Sequence, residues 1–171
     1  MDNDPQQIFD DLLKYSKDSS NGPTESLRLL ESFNRILSEE QIEPAFIDLC
    51  LMSIFDQTKG LLQYITLLHG NKQLKECIKK AIEIVSTIVN NFSCKVTETN
   101  AVDIYSLCVK IIKSSATDAN IKGKIITLAS ITLEKVNTFL GSIKVTDSLR
   151  NMLSILILCL QQRQTSSTGN M

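Results

Sequence analysis

The stretch Ile84–Phe92, IVSTIVNNF, recurs in outline as Ile131–Phe139, ITLEKVNTF. Each carries apolar side chains three and four residues apart, an asparagine near its end, and a short polar break leading into a second apolar segment. Spacings of three and four put side chains on one face of an α-helix, whereas a half-buried strand would alternate. The fold turns on whether this is one helical hairpin written twice or two amphipathic helices that end alike.

A displacement of 47 residues sets Ile78 on Ile125, Ile84 on Ile131, Val89-Asn90 on Val136-Asn137, and Phe92 on Phe139. The match of character continues past the break, with Val102 on Leu149, Tyr105 on Met152, Cys108 on Ile155 and Ile111 on Leu158. A chance likeness of helix endings need not extend into the next helix. One hairpin cannot bury its own apolar faces, so hairpins of this kind stack on neighbours. On these residues the chain resembles a small armadillo/HEAT-type helical repeat, best over residues 72–162, while residues 1–70 do not show the same phrase clearly. The expected fold is all-α, about eight helices stacked as antiparallel hairpins into a short α-solenoid. The alternative is a closed helical bundle.

Outward from that pair, Asp4 with Pro5 reads as the start of a first helix carrying Ile8, Phe9, Leu12 and Leu13. Lys17–Pro23 (KDSSNGP) is a loop of turn-forming residues, after which Thr24 is the expected cap of a second helix. Ser38 with Gln41 has the spacing of a capping box. A third helix from Pro44 is apolar on most faces, which predicts a central position. Leu61–Leu68 is a short fourth helix ending at His69-Gly70, read as a glycine cap. Asn71 caps the fifth, Lys72 to Asn91; the sixth spans Asn100–Lys113, the seventh Asp118–Leu140 and the eighth Asp147–Gln162. β-branched residues are frequent in the last four, but these segments exceed ordinary strand length. Residues 1–163 form a single expected domain, and 164–171 a polar tail.

Composition narrows the function classes. The amino terminus MDNDPQQ lacks the basic and apolar stretches of a signal peptide, and the longest apolar run, Ile155–Leu160, is too short to cross a bilayer. The expectation is a soluble intracellular protein of the cytoplasm or nucleus. Five cysteines without a CxxC pair and a single histidine suit buried reduced thiols rather than disulfides or zinc. The six glycines are isolated, so no phosphate loop is present. The carboxylate pairs Asp10-Asp11 and Glu39-Glu40 diverge around a helix, and His69 has no nucleophile or orienting carboxylate in its local sequence. No enzymatic chemistry and no cofactor are expected.

Charge supplies the candidate site. Residues 1–58 carry 12 acidic and 4 basic side chains, and residues 59–171 carry 7 acidic and 14 basic ones. Lys72, Lys75 and Lys79 lie three and four residues apart on the face opposite the apolar stripe of the fifth helix, flanked by Lys80. Lys110, Lys113, Lys122 and Lys124 form a second basic group around the following turn. Another protein, through an acidic and apolar peptide segment entering a groove between hairpins, is the expected partner. Few arginines, sparse aromatics and no overall positive charge speak against nucleic acid, which stands as the runner-up using the same lysines. A homo-oligomer through the densely apolar eighth helix is a third reading. Armadillo proteins of the importin type grip extended peptides with a Trp–Asn ladder. This chain has no Trp, so the resemblance carries over only asparagines, Asn90 and Asn137, each of which also suits a left-handed helix terminus. Tubulin-binding TOG-type arrays present a Trp and basic loops on a longer chain, a pattern this sequence does not share.

Overall fold

The Asp4 carboxylate accepts the backbone N–H of Gln6 at 3.1 Å and opens α1 (Pro5–Tyr15), with Pro5 where no intrahelical N–H is needed. The computed structural model describes residues 4–18, 20–39 and 41–136. α2 (Gly22–Leu37) starts before Thr24: the Gly22 N–H bonds back to Asp18 O at 3.2 Å, which places Pro23 and Thr24 already inside the first turn. A Cβ on Gly22 would collide with the Tyr15 carbonyl oxygen, so glycine is required there by space alone. Ser38 closes α2 instead of opening the next helix, its hydroxyl donating to Asn34 O at 2.9 Å. α3 (Pro44–Ile54) begins at Pro44 without a side-chain cap, and α4 (Leu61–Leu68) follows Gly60. His69 ends α4 in right-handed conformation, and among the described residues no glycine and no other residue has positive φ. The expected left-handed glycine cap is therefore absent.

Asn71 does cap, accepting from Gln73 N at 2.9 Å and opening a 3-10 turn (Lys72–Leu74) that runs into α5 (Lys75–Asn91). Thr97, not Asn100, begins α6 (Glu98–Lys113), its hydroxyl accepting the Asn100 N–H at 3.1 Å. Asp118 caps α7 (Ala119–Lys135) through Asn120 N at 2.8 Å. Seven α-helices and no strand are present among the described residues. The expected eighth helix, Phe139 and the 164–171 tail lie outside them.

α5 packs on α2 along one flank and on α7 along the other. α1 packs on α2, α3 and α4; α4 packs on α5 and α6; α6 packs on α7. This double flanking explains why α5 has so wide a buried face, with Cys77, Ile78, Ala81, Ile82, Ile84, Val85, Ile88 and Val89 all withdrawn from water. Phe9 of α1 meets Phe33 of α2 edge to face, ring centres 5.5 Å apart at 73°, a geometry worth ~0.5–1.5 kcal/mol beyond area burial. Two ion pairs give the relative direction of α5 and α7. Lys75 meets Asp118 near the start of both helices, and Glu83 meets Lys124 one to two turns further along both, so the two run parallel.

The internal likeness can be laid on the structure in two registers. α5 and α7 are both 17 residues long and start at residues 75 and 119, a displacement of 44, but the side-chain caps that open the two segments, Asn71 and Asp118, stand 47 apart. At 44, Cys77, Ala81, Ile84, Val85 and Ile88 fall on Ile121, Ile125, Leu128, Ala129 and Thr132, and all ten are buried. At 47, Leu74, Ile78, Ala81, Ile82, Val85 and Val89 fall on Ile121, Ile125, Leu128, Ala129, Thr132 and Val136, and all twelve are buried, while Ile84 falls on the partly buried Ile131. Three residues are close to one helical turn, so apolar residues rematch under either slide.

α3 is not central. Its inner face buries Ile47, Cys50, Leu51 and Ile54, but Leu49 and Met52 stand 50% and 72% exposed on its outer face. Apolarity on most faces of α3 therefore does not reflect burial on most faces.

Candidate partner-binding seam

Along α5 the positions turned away from the core, 75, 79, 83, 86, 87 and 90, recur at helical spacing and are polar or charged throughout. The equivalent stripe of α7 brings Ile121, Lys124, Thr127 and Ile131 beside it. Two cavities follow this seam. The larger, about 390 Å³, is bordered by Asn34 of α2, by Ile82, Glu83, Ser86, Thr87 and Asn90 of α5, and by Lys124, Thr127 and Ile131 of α7. The second, about 330 Å³, lies at the starting end of both helices, between the turn His69–Lys72 with Lys75 and the turn Ala116–Asp118 with Ile121.

The larger cavity is rich in acceptors. Thr87 and Thr127 donate their hydroxyl hydrogens back to the carbonyls of Glu83 and Gly123, at 2.9 and 3.2 Å, so each oxygen keeps its capacity to accept. The amide oxygen of Asn34 is buried and has no hydrogen-bond partner, a state that natural proteins rarely leave unexplained. Asn90 is exposed, its amide nitrogen 3.4 Å from Asn91 Oδ1. It is not a helix terminator of the expected kind, because α5 ends at Phe92 with φ −131°. Burial works to raise the Glu83 carboxyl, but hydrogen bonds from Lys124 and Lys80, with their charges, outweigh it and hold the group below its ordinary range.

In the second cavity His69 Nδ1 lies 2.6 Å from Thr117 Oγ1, which ties the turn after α4 to the turn before α7. Desolvation, followed by the positive charge of Lys110, depresses the imidazole pKa below its usual value.

The lysines expected to bind a partner, from the two basic groups, divide into two kinds. Lys75 is paired with Asp118 and Lys79 with Glu76, both at 3.3 Å. Lys72, Lys110 and Lys113 are exposed and have no carboxylate among the described residues within ion-pair distance. The seam thus gathers Lys72, Lys75 and Asn90. Lys110 borders a separate cavity of about 190 Å³, between α4 and α6. Lys113 lies in the last turn of α6. Asn137 is outside the described residues. Sequence reasoning missed Asn34, Ser86, Thr87 and Thr127, whose signal is a run of short polar side chains on one stripe. Among the described residues no three His, Cys, Asp or Glu side chains converge as a metal site, and no helix is long and apolar enough to cross a membrane. No protein-family model, no curated protein and no solved structure matches the chain.

Proposed function

We propose that this chain is a non-enzymatic protein–protein interaction module, a scaffold or adaptor, that receives a helix or extended segment of another protein in the seam between α5 and α7. The single observation that carries this is the larger cavity, in which Asn34, whose amide oxygen is buried and unpartnered, joins Asn90, Thr87 and Thr127. Acceptors in such an array suit the backbone N–H groups of an incoming chain, and Lys72 at the neighbouring cleft suits an acidic side chain on it.

We further read the helices as three stacked armadillo/HEAT-like hairpins: α1 with α2, α3/α4 with α5, and α6 with α7. The pairing of α5 with both α2 and α7 supports this reading, as does the parallel course of α5 and α7. A closed bundle would instead bring α1 or α2 firmly onto α6 or α7, and among the described residues no such packing goes beyond marginal contact.

The test is affinity purification with mass spectrometry from cells, comparing the native chain with a Ser86→Trp/Thr127→Trp double variant that fills the cavity from its exposed rim. Partners captured by the native protein should be lost by the variant while its helical content and unfolding midpoint are kept. Retention of the same partners would overturn the assignment. Nucleic acid in the eluate, released steeply by salt, would favour the competing use of the lysines.

A further inference from the structure

α3 presents to water a stripe that ordinary helices keep inside. Ala45, Leu49 and Met52 stand at i, i+4 and i+7 and are all exposed, while the far side of the same helix sits in the core. Beside the stripe, Phe46 reaches into a cleft of about 250 Å³ with Ile36 and Ile42, so the apolar surface continues off the helix. A single exposed leucine needs no explanation, but a contiguous apolar strip next to an apolar cleft marks an interaction surface. Met52, unbranched and polarisable, adapts to differently shaped partners.

The charges around the strip identify what covers it. Glu39 and Glu43 line the cleft, and among the described residues no lysine, arginine or histidine does. Asp48 is exposed on the other side of the stripe, where it already draws in Lys95 at 2.7 Å. An apolar strip between carboxylates complements an amphipathic helix whose apolar face is bordered by lysine or arginine. A second copy docked on the same face would bring a patch whose cleft charges, Glu39 and Glu43, are both acidic against an identical patch, a like-charge arrangement that disfavours symmetric pairing.

We propose that the outer face of α3, from the Ile36/Ile42/Phe46 cleft to Met52, docks a basic amphipathic helix of another protein. The surface is separate from the α5–α7 seam and does not depend on its function. The strip supplies apolar contact, the cleft takes one protruding apolar side chain, and the flanking carboxylates set orientation and exclude acidic competitors.

The chain has four methionines, so methyl-labelled methionine gives a spectrum simple enough to assign the Met52 signal with a Met52→Leu variant. The full chain is titrated with a synthetic peptide of two to three heptads, leucine at the a and d positions and lysine elsewhere, and with the same peptide carrying glutamate for lysine. The Met52 methyl should shift with the lysine peptide, and Leu49→Asp should weaken binding at least tenfold without changing the circular dichroism. The Ser86→Trp/Thr127→Trp variant should respond as the native chain does. A Met52 signal that stays still, or that moves equally with the glutamate peptide or with a sequence-scrambled lysine peptide, overturns the proposal. So does a concentration-dependent doubling of mass abolished by Leu49→Asp, because the occupant would then be a second copy.

Discussion

Lys124 of α7 sets its Nζ 2.7 Å from Oε1 of Glu83 on α5, the closest polar link between the two helices that form the seam. Lys80 holds the other carboxylate oxygen at 2.9 Å, so one acid serves two lysines. The side chains are about a third exposed, and solvent screening keeps the interaction modest, ~0.3–1 kcal/mol. Its pH dependence follows from the lowered folded-state pKa of Glu83. The stabilisation is complete above the ordinary value of 4.5 and disappears as acid protonates the carboxylate below it. Urea unfolding should therefore separate the native chain from Glu83→Gln at pH 7, and the gap should close by about pH 3. A gap that stays constant across that range would mean that charge is not what joins the helices there.

Thiol chemistry tests the core without touching the seam. Cys50, Cys77 and Cys108 are buried, and burial pushes their thiols up to about 12, 11 and 12 respectively, whereas Cys94 is exposed. In a Cys159→Ser background, one thiol should react promptly with a maleimide at pH 7.5, at Cys94. The other three should label only with denaturant. Rapid labelling of any of them in native buffer would contradict the packing of α3, α5 or α6.

Two aliphatic residues of similar size measure the difference between inside and outside. Ile88 of α5 is fully buried and Leu49 of α3 is half exposed. Ile88→Ala should cost ~2–5 kcal/mol, through lost transfer energy and the cavity left behind. Leu49→Ala should stay within ~0.5 kcal/mol, as surface changes do. Denaturant midpoints decide it, and equal costs would place α3 in a covered position.

Much of this architecture is legible in the residues because helix starts have a chemical signature. Asp4 and Asn71 cap as their sequence contexts predict, and Asp118, read as the first residue of the seventh helix, is its cap. Thr24 does not cap and Asn100 does not begin its helix, since each follows another residue able to start it, and only the path of the loop selects between them. Apolar residues alone do not choose between displacements of 44 and 47 for a related reason: hydrophobic periodicity reports a face, and a face repeats every turn, whereas the caps Asn71 and Asp118 stand 47 apart. α3 misleads more deeply. Apolar residues all round a helix usually mean neighbours all round, yet whether Met52 has a neighbour depends on parts of the assembly that periodicity does not describe. The seam was half visible. Lys72, Lys75 and Asn90 stand out as types, but Thr87 and Thr127 are common surface residues until α7 is laid beside α5.

The parallel course of α5 and α7 gives the seam a head and a tail. Helices leave N–H groups unspent at their starts and carbonyls unspent at their ends, so two aligned helices superpose their partial charges instead of cancelling them. The end near His69 and Lys72 is consequently the electropositive pole, and the end near Asn90 and Ile131 the electronegative one. A strand laid in the furrow would find its two directions unequal in energy: carboxy-terminal charge is drawn to one pole and an amino group to the other. Binding in the furrow, as proposed, would thus take its polarity from the backbone itself, before any side chain is chosen.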